Sequence, residues 1–256
     1  MSFEQKIKSL YLDGPQKYVE HLSIDCVIFG FHQNELKILL LQPRYASEWA
    51  LPGGFINRQE DIDDAANRVL TERTGLKKIY LQQFHTFGSP ARSTKKINEH
   101  FLKNVGIKAS KSWMFDRFVS VGYYALVDFT KVQPVKDIFS EACEWFNIHN
   151  IPPLILDHEI IFRYALNHLQ LQLNYYPIGY NLLPKKFTMP ELQKLYETIL
   201  DRQLDRRNFH RKIMASGILK KLNETKKGVA HKAPYYYNFD LNKYRQSTVR
   251  GLGFDV

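Results

Sequence analysis

The chain has 256 residues, 44% of them apolar, which is enough for two ordinary domains with real cores and excludes a disordered polymer. No apolar run approaches the roughly 18 residues of a membrane span, and the first residues lack the apolar core of a signal peptide, so a cytoplasmic protein is expected. The net charge of +10 is segregated: residues 1–179 hold 20 Lys and Arg against 19 Asp and Glu, and residues 180–256 hold 16 against 7, the footprint of a nucleic-acid-binding module behind a neutral one.

Residues 4–20 read as a polar lead-in with Leu10 and Tyr11 as apolar points, ended by Asp13-Gly14-Pro15 and suited to a dimer arm. Residues 23–31 and 36–41 are rich in apolar and β-branched side chains and are joined by His32-Gln33-Asn34-Glu35, which predicts a hairpin. Cys26 lies in the first run and Cys143 far downstream; two lone cysteines form no metal pattern or disulfide framework and read as structural thiols. Residues 44–52 then lead into a Gly53-Gly54 turn.

From Gly53 to Leu76 the chain runs G-G-F-I-N-R-Q-E-D-I-D-D-A-A-N-R-V-L-T-E-R-T-G-L. Asp63 or Asp64 is positioned to cap a helix that ends at Thr74, with Gly75 as its left-handed stop. In such a helix positions 69, 72 and 73 are i, i+3 and i+4 and share a face. This stretch resembles the Nudix box, G-x5-E-x7-R-E-U-x-E-E-x-G-U with U aliphatic, and keeps Gly54, Glu60, Arg68, Leu70, Glu72, Gly75 and Leu76. Two of the three clustered glutamates are missing, with Val69 and Arg73 in their places. Three carboxylates there would hold Mg²⁺; a valine and an arginine make the face more positive by three charges and leave Glu72 alone. No metal, cofactor or catalytic residue is therefore expected, and Arg68 is expected to pair with Glu60 inside the fold.

Residues 79–84 read as a strand and residues 84–92 as a loop of polar and aromatic groups. Residues 95–114, charged and weakly periodic, read as an insertion. Strand patterns resume at 117–127 and 144–148, and Pro152-Pro153 closes the section. Asp157 caps a helix over 158–174, with Ile160, Ile161, Tyr164, Ala165, Leu169 and Leu173 at helical spacing. Mixed strands between helices predict an α/β/α sandwich.

The basic segment opens with Thr188-Met189-Pro190-Glu191, a capping box, and Leu192, Leu195, Tyr196 and Ile199 make one helix face. After Asp201-Arg202-Gln203-Leu204 a second cap, Asp205, starts a helix to about Ser216, on which Phe209 and Ile213 face inward. Arg206, Arg207, Asn208, His210, Arg211 and Lys212 occupy the remaining circumference. Strands at 218–222 and 235–239 then flank a tip carrying Lys226, Lys227, Gly228, His231 and Lys232. This is a winged helix-turn-helix, whose helix arginines and asparagine suit base edges and whose wing lysines suit phosphates of double-stranded DNA.

Taken together, the chain resembles the Nudix-related transcriptional regulators. Beyond the box the resemblance rests on Arg117-Phe118-Val119-Ser120-Val121-Gly122-Tyr123, Pro152-Pro153-Leu154 with Asp157-His158, Tyr176-Pro177-Ile178, Leu182-Leu183-Pro184, and the segments Phe187–Glu197 and Leu204–Lys212. It implies an effector-sensing Nudix-like domain with its connecting helix over residues 1–178 and a DNA-binding winged helix over 179–256, acting on operator DNA; because helix-turn-helix readers usually bind paired half-sites, a homodimer is expected. The family's effectors include ADP-ribose and related nucleotides, and a branch in Bacteroidetes resembles arabinose-responsive control of sugar catabolism. The missing glutamates favour a neutral sugar over a metal-held pyrophosphate, with Arg44, Trp49, Gly53, Gly54, Glu60, Glu72 and His85 as candidate effector contacts. The alternative is a Mg²⁺-dependent Nudix hydrolase carrying a basic accessory domain.

Overall fold

The computed structural model describes residues 3–44, 46–75, 81–93, 113–175, 180, 182–228 and 233–244. Of the expected insertion, only Trp113 and Met114 lie within them. The polar lead-in folds as helix α1 (Phe3–Lys17) because Ile7 and Tyr11, one turn apart, are both buried. Asp13-Gly14-Pro15 does not end it, and Pro15 sits in its last turn. Gly14 instead packs under an indole: a Cβ there would lie 2.4 Å from the Trp113 ring.

Strands β1 (Tyr18–His32) and β2 (Glu35–Pro43) form the expected hairpin, turning through Gln33 and Asn34, both at positive φ. The sheet is completed by β3 (Gly53–Asn57), β4 (Leu81–Phe87), β5 (Val119–Val127) and β6 (Ser140–Asn147), in the order β4-β5-β1-β2-β6 with β3 also on β1. β1 runs parallel to β5 and antiparallel to β3, so the sheet is mixed. The loop expected at 84–92 is strand as far as Phe87, since glycine at 122 on the neighbouring strand leaves room for the Phe84 and Phe87 rings.

The two-residue period of β1 divides the layers. Ile24, Cys26 and Ile28 join Val121, Tyr123 and Ala125 under helix α2 (Ile62–Thr74), which contributes Ala65, Ala66, Val69 and Leu70. The opposite face carries Asp25 and Phe29, and Phe29 packs against Phe162 of helix α3 (His158–Tyr175). An α/β/α sandwich results. The cap of α2 is Asp61, not Asp63 or Asp64: its carboxylate accepts from the Asp63 amide, while Asp63 accepts from the Tyr123 hydroxyl. In α3, Ile161, Ala165, Leu169 and Leu173 are buried as their spacing predicts, whereas Ile160 and Tyr164 are exposed.

The chain divides into two compact units, residues 1–30 with 37–165, and residues 31–36 with 166–256. In the second, Gln170 donates to the Ile199 carbonyl at 3.0 Å, at the end of helix α4 (Met189–Leu200). The capping box forms, with the Thr188 amide and hydroxyl both donating to Glu191. Helix α5 (Arg206–Ala215) is capped by Asp205, and Gly217 at φ +68° stops it. Strands β7 (Phe187–Thr188), β8 (Leu219–Thr225) and β9 (Tyr235–Phe239) form a small sheet in the order β7-β9-β8. Two helices, a turn and this sheet make a winged helix. No helix among the described residues is long and apolar enough to cross a membrane.

Candidate effector site and nucleic-acid interface

Glu60 and Arg68 pair as expected, Arg68 Nε donating at 2.7 Å and Nη2 at 2.9 Å to the two carboxylate oxygens. That guanidinium draws the Glu60 pKa from 4.5 down to about 2, and the Asn57 amide assists. Arg68 also reaches Glu72, at 3.7 Å, and the Phe55 carbonyl, at 2.9 Å. Phe55 belongs to a group of rings with Tyr18, Trp113 and Phe118, whose centroids lie 5.1 to 5.6 Å from its own. Tyr18, Phe55 and Phe118 are only half-buried.

The face expected to unite positions 69, 72 and 73 is split. Glu72 points outward, while Val69 and Arg73 are buried. Val69 packs over Gly54, where a Cβ would meet its Cγ2 at 3.1 Å. Arg73 donates to Asp137 at 2.6 Å, and its Nε has no hydrogen-bond partner among the described residues. A methyl-lined surface and a buried cation do not fit Mg²⁺, and among the described residues no three His, Cys, Asp or Glu side chains gather as a metal site.

The other candidate effector residues are dispersed. Arg44 Nε donates to the Ile138 carbonyl beside β6, and Trp49 bridges to Leu154 and meets the Phe146 ring edge-on at 4.6 Å. His85 lies on β4 at the opposite edge of the sheet, 5.1 Å from the Tyr164 ring. Gly53 and Gly54 pair with Asp25 and Ile24. A Cβ at Gly53 would lie 2.6 Å from the Ile24 carbonyl oxygen, so glycine is needed for close approach.

The residue pattern did not reveal a buried charged network around Asp25. Its carboxylate accepts from Ser120 Oγ at 2.5 Å and Arg92 Nη2 at 3.3 Å, and His158 Nε2 lies 3.6 Å away. Arg92 also holds Asp157 through Nε and Nη2, at 3.0 and 3.1 Å, and reaches the Phe87 and Phe118 carbonyls. His158 Nδ1 accepts from the Leu51 amide at 2.9 Å. Asp157 and His158 do stand in the sequence as a motif, but their partners lie 65 and 107 residues away. The buried Asp25, in an otherwise apolar strand, was the available signal.

In the winged helix, Phe209 and Ile213 are buried and tilt the other side of α5 outward. Arg206, Arg207, Asn208, His210 and Arg211 are exposed, and Lys212 is half-buried. Asn208 Oδ1 accepts from Arg211 Nη2 at 3.0 Å, aligning two base-reading side-chain types one turn apart. Lys227 is exposed at the wing, whereas Lys226 is engaged with Glu191 of α4 at 2.8 Å. His231 and Lys232 lie outside the described residues. Two arginines in the first turn oppose the helix dipole, at a cost of about 0.3–1 kcal/mol each, an arrangement favoured by an anionic partner.

Comparison with known proteins agrees with this architecture. The NUDIX domain family matches residues 19–165, and the NrtR DNA-binding winged helix domain matches residues 179–239. The ADPR responsive transcriptional repressor NtrR of Acinetobacter baylyi is 31% identical over 231 residues, 87% of this chain and 83% of that protein. The ADP-ribose pyrophosphatase of Methanocaldococcus jannaschii is 24% identical over 151 residues, 58% of this chain and 76% of that one. The structure of Shewanella oneidensis NrtR complexed with a 27mer DNA matches with a TM-score of 0.66 at 24% identity, over 88% of this chain and 96% of that chain. A MutT/nudix family protein from Enterococcus faecalis matches at 0.62 and 21%, over 94% and 100%. Two domain matches in this order and a relative spanning nearly the whole chain lead to one conclusion: the chain belongs to the Nudix-related transcriptional regulators of the NrtR type, a Nudix domain followed by a DNA-binding winged helix.

Proposed function

We propose that this regulator binds operator DNA as a homodimer through α5 and the wing, and that its Nudix domain senses an ADP-ribose-like nucleotide without a metal ion. The observation that carries the DNA reading is the outward set on α5, Arg206, Arg207, Asn208, His210 and Arg211, anchored from behind by Phe209 and Ile213. Helix-turn-helix readers usually bind paired half-sites, which favours two copies.

The effector reading draws on the two sequence relatives above, both named for ADP-ribose; neither is named for a neutral pentose such as arabinose. The face of α2 bearing Arg68 and Glu72, beside the half-buried rings of Tyr18, Phe55 and Phe118, supplies a cation and stacking surface of the kind a nucleotide needs. Burial of Val69 and Arg73 favours binding over Mg²⁺-dependent hydrolysis.

The test is fluorescence anisotropy on the protein's own promoter region at about 0.15 M salt, where non-specific attraction is reduced. Arg207→Ala with Arg211→Ala should abolish specific binding, and ADP-ribose in EDTA should change the affinity of the intact chain. Unchanged affinity in the double variant would overturn the DNA reading. An effect of L-arabinose but not ADP-ribose would overturn the nucleotide reading, and ADP-ribose turnover at or above about 1 s⁻¹ with Mg²⁺ would overturn the metal-free one.

A further inference from the structure

We infer that the entry to α3, residues 153–158, is the relay through which that helix reads the state of the effector site, with Leu156 as its hinge. This rests on the nucleotide reading above and names the device that reports occupancy. Two walls of the proposed site converge on this one segment. The first is the stretch 49–53 that leads into β3. The Trp49 amide donates to the Pro153 carbonyl, the Ile155 amide to the Trp49 carbonyl, and the Leu51 amide to His158 Nδ1, each at 2.9 Å. The second wall is Phe118, whose ring stands 5.6 Å from that of Phe55. Its carbonyl accepts from Arg92 Nη1 at 3.3 Å, and Arg92 grips Asp157 through Nε and Nη2. A nucleotide that moves either wall therefore pulls on residues 155–158.

The same segment is under strain. Leu156 lies at φ +49°, a left-handed conformation that a leucine adopts only where its surroundings impose it. Its side chain is 40% exposed, so burial does not impose it. The bonds of Ile155, Asp157 and His158 on either side do. Loosening one of these anchors lets Leu156 return to ordinary backbone, and the first turn of α3 moves with it. Because α3 is one helix to Tyr175, and its buried Leu169 and Leu173 belong to the second compact unit, such a movement is not confined to the first. A strained residue between two sets of bonds is a two-position element, which is what coupling between sites requires.

The experiment uses the full chain in EDTA and measures ADP-ribose affinity by isothermal titration calorimetry and promoter affinity by anisotropy, with and without ADP-ribose. Leu156→Gly removes the strain without touching a buried side chain, since glycine takes a positive φ freely, and so favours the described position of the hinge. By linkage the affinities for ADP-ribose and for DNA should then both shift, each by about threefold or more. The shifts should be opposite if ADP-ribose weakens promoter binding by the intact chain, and in the same direction if it strengthens it. His158→Ala cuts the bond to Leu51 and should bring the ADP-ribose effect on promoter affinity to within about twofold of none. His158→Asn, whose Oδ1 takes the place of Nδ1, should restore the effect. If His158→Ala loses helix by circular dichroism, Leu156→Gly decides alone. An intact chain that responds to ADP-ribose, with Leu156→Gly leaving either affinity unchanged, would overturn the relay while the nucleotide reading stands. A folded His158→Ala protein that responds like the intact chain would do the same. An intact chain whose promoter affinity ADP-ribose does not alter would overturn the relay and the nucleotide reading together.

Discussion

Val69 and Arg73 face inward from α2, where the glutamates of a Nudix box would face a metal. Their identities are plain in the sequence, but the partner of Arg73 is not, because Asp137 is 64 residues away. Arg73→Leu removes a buried charge whose Nε has no partner among the described residues, whereas Arg73→Glu sets a carboxylate against Asp137. We expect Arg73→Glu to be less stable than Arg73→Leu by about 3 kcal/mol or more, read from urea midpoints. Glu60 gives a pH dependence whose sign is fixed. Its folded pKa, about 2, lies below the ordinary 4.5, so its ion pair stabilises fully above about pH 4.5 and is lost as pH falls toward 2. Glu60→Gln should flatten acid unfolding in that window and cost about 2 kcal/mol at pH 7, measurable by denaturation at both pH values.

The helices were legible wherever a cap and a period coincided, as in α4 and α5, where Thr188, Glu191 and Asp205 act as their spacing predicts. Where the apolar points were few, as in α1, or where a strand of two residues merged into a cap, as in β7, local pattern carried too little signal. Of the seven candidate effector residues, Glu60 and Glu72 both meet Arg68, but sheet order sends Arg44 and His85 to opposite edges. In α5 the first-turn arginines oppose the helix dipole, so function and stability pull apart. Arg207→Glu should raise stability by about 0.3–1 kcal/mol in thermal melts while abolishing promoter binding in the anisotropy assay. At the wing, Lys226 is tied to Glu191, so Lys226→Ala should affect DNA affinity partly through wing position, and Glu191→Gln should reproduce part of its effect. Lys227→Ala should act only by flattening the salt dependence, by about one unit of slope.

At the scale of the whole molecule, charge segregation separated a neutral module from a basic one before any element was placed. What composition could not show is that the C-terminal half of α3 belongs with the basic unit. Leu169 and Leu173 are buried there, and Gln170 bonds to the Ile199 carbonyl. A fragment of residues 166–256 should therefore be more stable than one of residues 179–256. Two buried leucines contribute about 2 kcal/mol each, and differential scanning calorimetry of the two fragments would reveal the gap. Equal melting temperatures would mean that α3 adds nothing to the winged helix.

Arg92 is held by groups that a ribosome delivers at very different times. Asp25 and the Phe87 and Phe118 carbonyls emerge first, but Asp157 emerges only after every strand of the large sheet has been made. Until then Arg92 lacks its bidentate partner, and the sheet contains a buried ion pair only half satisfied. The start of α3 is thus the closing stitch of vectorial folding, and a nascent chain halted before residue 157 should remain sensitive to protease although all six strands are present.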